Sequence, residues 1–217
     1  MDKNKDKNKD KNKDKNKDKD KDNNNKQAIY SYIIILSTWM VMSIYIANKA
    51  YSLPSSIIQS LFTMLWAYMG HVIAHYMSSD FPFNILNPHV LFHHNKSFNL
   101  PRYLELFIEL LTNLFSFVIL IILQYVLNIH ILSTSLILFG AFVYIAIHIF
   151  DYSIFGDTEH GLHHQLTFCN FSPRVMDILF NTRCKPESDY VPMNRELIST
   201  LLVFPIVVFI QNRFNLD

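Results

Sequence analysis

Three knots of histidine carry most of the chemistry open to this chain. His71 and His75 form H-x3-H, His89, His93 and His94 form H-x3-H-H, and His160, His163 and His164 form H-x2-H-H. Together they hold eight of the ten histidines. Residues four apart on a helix share a face, so His71 with His75, His89 with His93, and His160 with His164 can each aim two imidazoles at one point. His94 and His163 are offset in angle from those pairs. Neutral imidazole is the commonest metal ligand, and several convergent rings suit iron, zinc or copper. Eight rings are too many for one ion and suggest two. A lone histidine near a helix end is ordinarily a hydrogen-bonded polar contact, but three clusters at membrane depth point to function.

Other catalytic patterns fall away. Gly161 follows His160, so H-E-x-x-H is absent and a zinc metalloprotease is unsupported. Soluble di-iron bundles draw on Glu and Glu-x-x-His ligands, a supply missing here. There is no G-x-S-x-G elbow, and a chain with four glycines has little with which to build a phosphate-binding loop.

The elements that must position the histidines are apolar helices. Residues 28–48 carry no charge and have aromatic residues towards both ends, enough for one membrane span. A signal peptide fits less well, because the charged stretch before it is long and no small-residue cleavage pattern follows. Residues 53–77 bring the chain back, ending in His71 and His75. Residues 104–126 and 131–150 form a tight antiparallel pair. The last apolar run, 197–211, is interrupted by Pro205 and is short for a span, so it is expected to lie in the interface or to enter part-way. Ahead of all this, residues 1–27 repeat Lys, Asn and Asp, a composition that cannot bury a core and is expected to be disordered. The expected fold is therefore an all-α membrane protein. It has four transmembrane helices, a histidine-rich helical cap and a short C-terminal apolar helix, in one domain over 28–217.

Counting four spans from the N-terminus puts Lys96, Arg102, Arg174, Arg183, Lys185 and Arg195 on the same side as the tail, with Lys49 opposite. The positive-inside rule makes that shared side cytosolic. All three knots fall there and His130 falls on the other side. This topology follows from apolar length and charge alone, so the co-location of the histidines is an independent check. A net charge of +1 argues for no nucleic-acid partner. Two cysteines, Cys169 and Cys184, do not make a disulfide framework and are expected to be reduced thiols on the cytosolic face.

Taken together, H-x3-H, H-x3-H-H about fourteen residues later and H-x2-H-H beyond a two-helix hairpin resemble the fatty acid hydroxylase/sterol desaturase superfamily. The segment from His160 to Thr182, HGLHHQLTFCNFSPRVMDILFNT, is similar to that family's closing segment: a His-His pair, an Asn-aromatic pair (Asn170-Phe171), then Asp-x-aliphatic-Phe-x-Thr (Asp177 to Thr182). The resemblance spans roughly residues 61–185. It implies a two-metal centre, iron in the working enzyme and zinc in a purified form, that uses O2 to oxidise a C–H bond of a membrane lipid. Electrons would come from a separate cytochrome b5 or reductase, and the setting would be an endoplasmic-reticulum-like membrane. The implied ligands are His71, His75, His89, His93, His94, His160, His163 and His164. His148 matches a position where members often carry a further histidine. The chain departs from the family pattern in three places. No arginine follows the first histidine, Phe171-Ser172 replaces Tyr-Gly, and Asn181 stands where glycine is common.

Glu105, Glu109 and Asn113, or Asp151, Asp157 and Glu159, are candidate acceptors that would orient ligand imidazoles. Glu105 and Glu109 are better explained as ordinary helix-start carboxylates favoured by the dipole. Hydroxylation is one expected outcome and desaturation the other. The acyl-lipid desaturases use similar boxes, but their first two are more widely separated. A membrane metal transporter would place ionisable groups on both faces, and a non-catalytic scaffold would be indifferent to loss of a histidine.

Overall fold

The computed structural model describes residues 30–77, 87, 89–94, 100–156, 158–184 and 194–217, leaving aside the side chains at 93, 158, 159 and 194. The expected tail lies outside the described residues. All regular structure among the described residues is helical. Five helices are long and apolar enough to cross a membrane, as fits an integral membrane protein. They are α1 (Tyr30–Ala47), α2 (Leu53–Tyr76), α3 (Arg102–Val126), α4 (Thr134–Ala146, continued as a π-helix over Ile147–Ile154) and α7 (Asn194–Phe214). Two short helices, α5 (Thr158–Leu166) and α6 (Arg174–Leu179), and a π-helical turn over His89–His94 make up the rest.

α4 is the axis of the bundle. It is apolar all round, and 61% of its span is buried against 22% to 33% for the other four. A helix without a polar face belongs inside. One side of it packs Phe139, Val143 and Ile147 with Trp39 of α1, Met64 and Tyr68 of α2 and Val207 of α7. The other side packs Ile137, Ala141 and Tyr144 with Phe117 and Leu120 of α3. Large apolar side chains such as Val41, Ile58, Phe115 and Phe209 stay exposed on the outer helices, where a bilayer would cover them.

Gly140 is where α2, α3 and α4 come closest. A Cβ there would stand 2.6 Å from Thr63 Cγ2 and 2.9 Å from Phe117 Cε1. Thr63 is stiff at χ1, and Phe117 is buried in the second core. Gly140→Ala is therefore expected to destabilise the chain by about 1–3 kcal/mol despite alanine's better helix propensity. Thermal unfolding in detergent reads this, and an unchanged midpoint would contradict the packing.

The C-terminal helix is longer than the sequence suggests. It runs on through Pro205, and its end is tied down at the far end of the bundle. Lys49 Nζ donates to Asn212 Oδ1 (2.7 Å), and the Asp217 carboxylate accepts from Ser133 Oγ (2.7 Å) and from the backbone N–H of Thr134 and Ser135. The latter two bonds satisfy N–H groups that open α4, where a helix lacks internal partners. Ser133 adds its own cap, accepting from Leu136 N–H at 3.0 Å. His130 lies at this same end, its carbonyl accepting from Tyr51, far from the three knots.

Candidate metal centre

At the opposite end, the second half of α2, the His89–His94 turn, the π-helical end of α4 and α5 converge. His71, His75, His89, His94 and His163 bring one ligand nitrogen each to within 4.8 Å of one another. Their rings meet at 4.5 to 4.8 Å between centroids for His75–His94, His71–His89, His75–His163, His71–His163 and His94–His163. These five can hold a metal ion. Two nitrogens on one ion lie at most about 4.2 Å apart, twice a metal–nitrogen bond, so closing on a single ion would draw a pair at the 4.8 Å limit in by at least about 0.6 Å.

The donor atoms fit that role. His163 Nδ1 lies 2.6 Å from the Cys169 carbonyl oxygen, and His71 Nδ1 contacts the Phe171 carbonyl. Each is an N–H donating to a backbone acceptor, which leaves Nε2 as the lone-pair atom. Nε2 of His71, His75 and His163 is buried with no hydrogen-bond partner. A buried acceptor left unmet costs about 1–3 kcal/mol, and a cation meets three at once. Fixing one ring nitrogen on a carbonyl to orient the other is how metal-binding histidines are ordinarily held.

The π-helical turn, with its i→i+5 hydrogen bonding, brings His89 beside His94, their centroids 5.1 Å apart, a pair that i, i+4 spacing does not give. The side chain of His93 lies outside the described residues. π-helical turns are rare and concentrate at functional sites. Asn87 docks this turn onto α2, donating from Nδ2 to the Ala74 carbonyl (2.5 Å) and accepting from Val90 N–H through Oδ1 (3.3 Å). Sequence reasoning did not single out Asn87.

His148, His160 and His164 flank the five. His160 and His164 lie one turn apart on α5 with their Nε2 atoms 2.9 Å from each other, aimed at a common point. His164 stands 4.5 Å from His94 and His148 stands 5.6 Å from His71, centroid to centroid. His148 is fully buried. It lies between Tyr144 (4.3 Å) and Tyr152 (5.0 Å). Tyr152 stacks on His160, and the Tyr144 hydroxyl is 3.3 Å from His71 Nδ1. The spacing Tyr144-x3-His148-x3-Tyr152 was the available signal for these tyrosines, one polar stripe on an otherwise apolar helix.

The loop from Thr167 to Pro173 supplies the orienting carbonyls. Thr167, Asn170 and Ser172 have φ of 56°, 55° and 62°, a left-handed conformation costly to residues with a Cβ. Asp177, itself buried, holds the loop. Its carboxylate accepts from Phe171 N–H (2.9 Å), Ser172 N–H (2.8 Å) and Thr182 Oγ1 (2.7 Å). Tyr152 and Ser172 share a hydroxyl contact at 2.9 Å, as do Tyr68 and Thr182. Phe171 itself is buried with its ring 5.6 to 5.8 Å from His71, His75 and His163, an apolar wall that excludes water from those rings.

This loop also corrects the reading of the cysteines. Asn170 pairs with the backbone of Cys184 on both sides, Nδ2 to its carbonyl (3.0 Å) and Oδ1 from its N–H (2.9 Å), and Asn170 N–H donates to the Thr182 carbonyl. The strand of chain at 182–184 is thereby laid against 169–170, and Cys169 and Cys184 join as a disulfide in place of two thiols.

The proposed acceptor residues divide. The buried Glu109 carboxylate accepts from Ser153 Oγ at 2.8 and 2.9 Å. Glu105 pairs with Arg102 in a more exposed setting, as the helix-start explanation expects. Asp151 is buried one turn beyond His148. Asp157 and the side chain of Glu159 lie outside the described residues.

Electrostatics favour neutral rings here. Burial, reinforced by neighbouring His164 and His75, pushes His94 down to about 2. Burial also lowers His163, partly offset by its bond to the Cys169 carbonyl. The unfolded chain therefore takes up protons on these histidines below about pH 6.5 that the folded chain refuses. Stability is present above that value and falls on acidification, by up to about 1.4 kcal/mol per pH unit per histidine. The metal-free protein should accordingly melt lower at about pH 5 than at about pH 7.5. A flat profile would mean the rings are hydrated.

No family model, curated protein or solved structure matches this chain.

Proposed function

We propose that the chain is an O2-dependent di-iron oxidoreductase of membrane lipids, hydroxylating or desaturating a C–H bond, in the manner of the fatty acid hydroxylase/sterol desaturase superfamily. The observation that carries this reading is the convergence of five histidine nitrogens within 4.8 Å, with the His160–His164 pair aimed at a second point beside them. The first group would hold one iron. His160 and His164, with His148 alongside, would complete a neighbouring site. Bound iron would supply the O2 chemistry, with electrons from a separate cytochrome b5 or reductase.

The residues around the ions have definable tasks. The Cys169 and Phe171 carbonyls hold His163 and His71 in the tautomer that presents Nε2. Phe171 keeps water off three of the rings. Tyr144 stands between His71 and His148, and its hydroxyl, 3.3 Å from His71 Nδ1, would help hold the orientation of the His71 ring.

A second support comes from the departures. Ser172 and Asn181, which stand where the resembling family favours glycine, have φ of 62° and 55°. Glycine is the residue that takes this conformation without strain, so the backbone need is preserved though the residue is not. Asn181→Gly should accordingly raise stability by up to about 1 kcal/mol. Denaturant unfolding would test it, and a loss would show that the Asn side chain matters more than φ.

A transporter would place ionisable groups near mid-membrane and on both faces. Among the described residues the cluster lies at one end. By the positive-inside rule that end would be cytosolic, and the resemblance implies an endoplasmic-reticulum-like membrane. Lipid mass spectrometry of cells expressing the chain, against a His163→Ala form, tests the proposal. A lipid that gains one oxygen marks hydroxylation, and one that loses two hydrogens marks desaturation. No His163-dependent product would overturn it.

A further inference from the structure

Between α2 and α3 a cavity of about 190 Å³ reaches the candidate centre: His71 and His89 form part of its wall. That is larger than the ~150 Å³ cavity known to admit a benzene. At its outer rim Ile73 and Phe115 are half or more exposed, so it opens sideways between the two helices, towards the bilayer. Gly70 sits on its wall, and a Cβ added there would meet no atom within 4 Å. The cavity is thus an apolar room, not a crevice left by poor packing of one side chain.

One polar side chain in it, named above only as a candidate acceptor, has an unmet donor. Asn113, on α3, is 4% exposed, lines this cavity, and its Nδ2 has no hydrogen-bond partner. A buried donor left unmet costs about 1–3 kcal/mol. Its neighbours are otherwise matched: Ser116 Oγ donates to the Asn113 carbonyl at 2.7 Å, and Trp66 Nε1 donates across the helices to the Ser116 carbonyl at 2.8 Å.

We propose that this cavity seats the reacting segment of the lipid, and that Asn113 Nδ2 donates to a carbonyl or hydroxyl oxygen close to the carbon that is oxidised. The substrate class is then a lipid functionalised near its reacting carbon, and the reaction falls beside a polar group instead of in mid-chain. This rests on the lipid-oxidising reading above, but it concerns binding and can be tested apart from turnover.

The chain has two tryptophans, and Trp66 lines this cavity while Trp39 stacks on Phe139 in the core. In a Trp39→Phe background of the full chain in detergent, Trp66 fluorescence reports a brominated probe. Three probes of equal chain length would be compared, each brominated at one end: a fatty amide, a fatty alcohol and a bromoalkane. Titrations would be run with zinc-loaded and with metal-free protein. The amide and alcohol should quench at lower concentration than the alkane, and Asn113→Leu should weaken them by about five- to tenfold while leaving the alkane unchanged. Gly70→Leu, which fills open space and improves helix propensity, should abolish quenching by all three while the protein still folds and still takes up zinc. Equal quenching by the alkane, indifference to Asn113→Leu, or quenching that survives Gly70→Leu from the lipid side would each overturn the proposal. If binding behaves as stated but no lipid is oxidised in cells, the seat stands and the catalytic reading fails.

Discussion

Asp177→Ala is expected to destabilise the protein by about 4 kcal/mol and to release its metal, although Asp177 is not itself one of the candidate ligands. The buried carboxylate accepts three hydrogen bonds, two from the N–H groups of Phe171 and Ser172 and one from Thr182. Bonds to a charged acceptor contribute roughly 1.5–3 kcal/mol each, and their removal strands two buried donors. In the alanine variant only the Tyr152 hydroxyl contact would remain to hold the Ser172 side chain, with no acceptor for its backbone N–H in the left-handed conformation. Once the loop relaxes, the Cys169 and Phe171 carbonyls no longer fix His163 and His71. Loss of such an orienting contact ordinarily weakens metal binding about 10- to 100-fold. Asp177→Asn should fall between the two, since one oxygen still accepts while the amide faces a donor. Chemical unfolding and metal content of the purified variants measure both effects. An alanine variant that melts lower yet retains full metal would show that the loop is scaffold and not the support of the ligands.

The second large effect concerns the ion itself. At a free concentration a thousandfold above its dissociation constant, a metal that binds only the folded chain adds about 4 kcal/mol of stability. The purified protein should therefore unfold at a markedly higher temperature with zinc or iron than after chelation. In His163→Ala most of that difference should vanish, because His163 touches the rings of His71, His75 and His94 and joins α5 to α2. His130→Ala, at the other end of the bundle, serves as the comparison and should keep the full shift. If chelation leaves the melting temperature of the parent protein unchanged, the unmet Nε2 atoms of His71, His75 and His163 are not waiting for a cation.

Trp39, Met64 and Phe139 illustrate how much of the bundle was readable in advance. Each lies within an apolar run long enough to cross a bilayer, and such runs have few alternatives to a helix, because every backbone group must be satisfied internally. The ends were less legible. The last helix was expected to be short because only its apolar part was counted. Its polar ends, Arg195 and Asn212, became helical because they find partners: Arg195 lies over the Phe155 ring and Asn212 accepts from Lys49. The cysteine pairing was hidden for a related reason. It depends on Asn170 binding the backbone fourteen residues ahead, a contact no local pattern announces.

The sequence by itself determined the helical membrane class, the histidines that cluster, and the end of the bundle at which they gather. Apolar run length and i, i+4 spacing are local properties, and they survive whatever the rest of the chain does. Only the tertiary structure decided how those histidines meet. A π-helical turn set His94 beside His89, and a left-handed loop held by Asp177 turned two carbonyls onto His71 and His163. It also opened a cavity beside Asn113. These depend on hydrogen bonds and packing between residues far apart in the chain, whose geometry is fixed only once α2, α3, α4 and α5 have closed around one another.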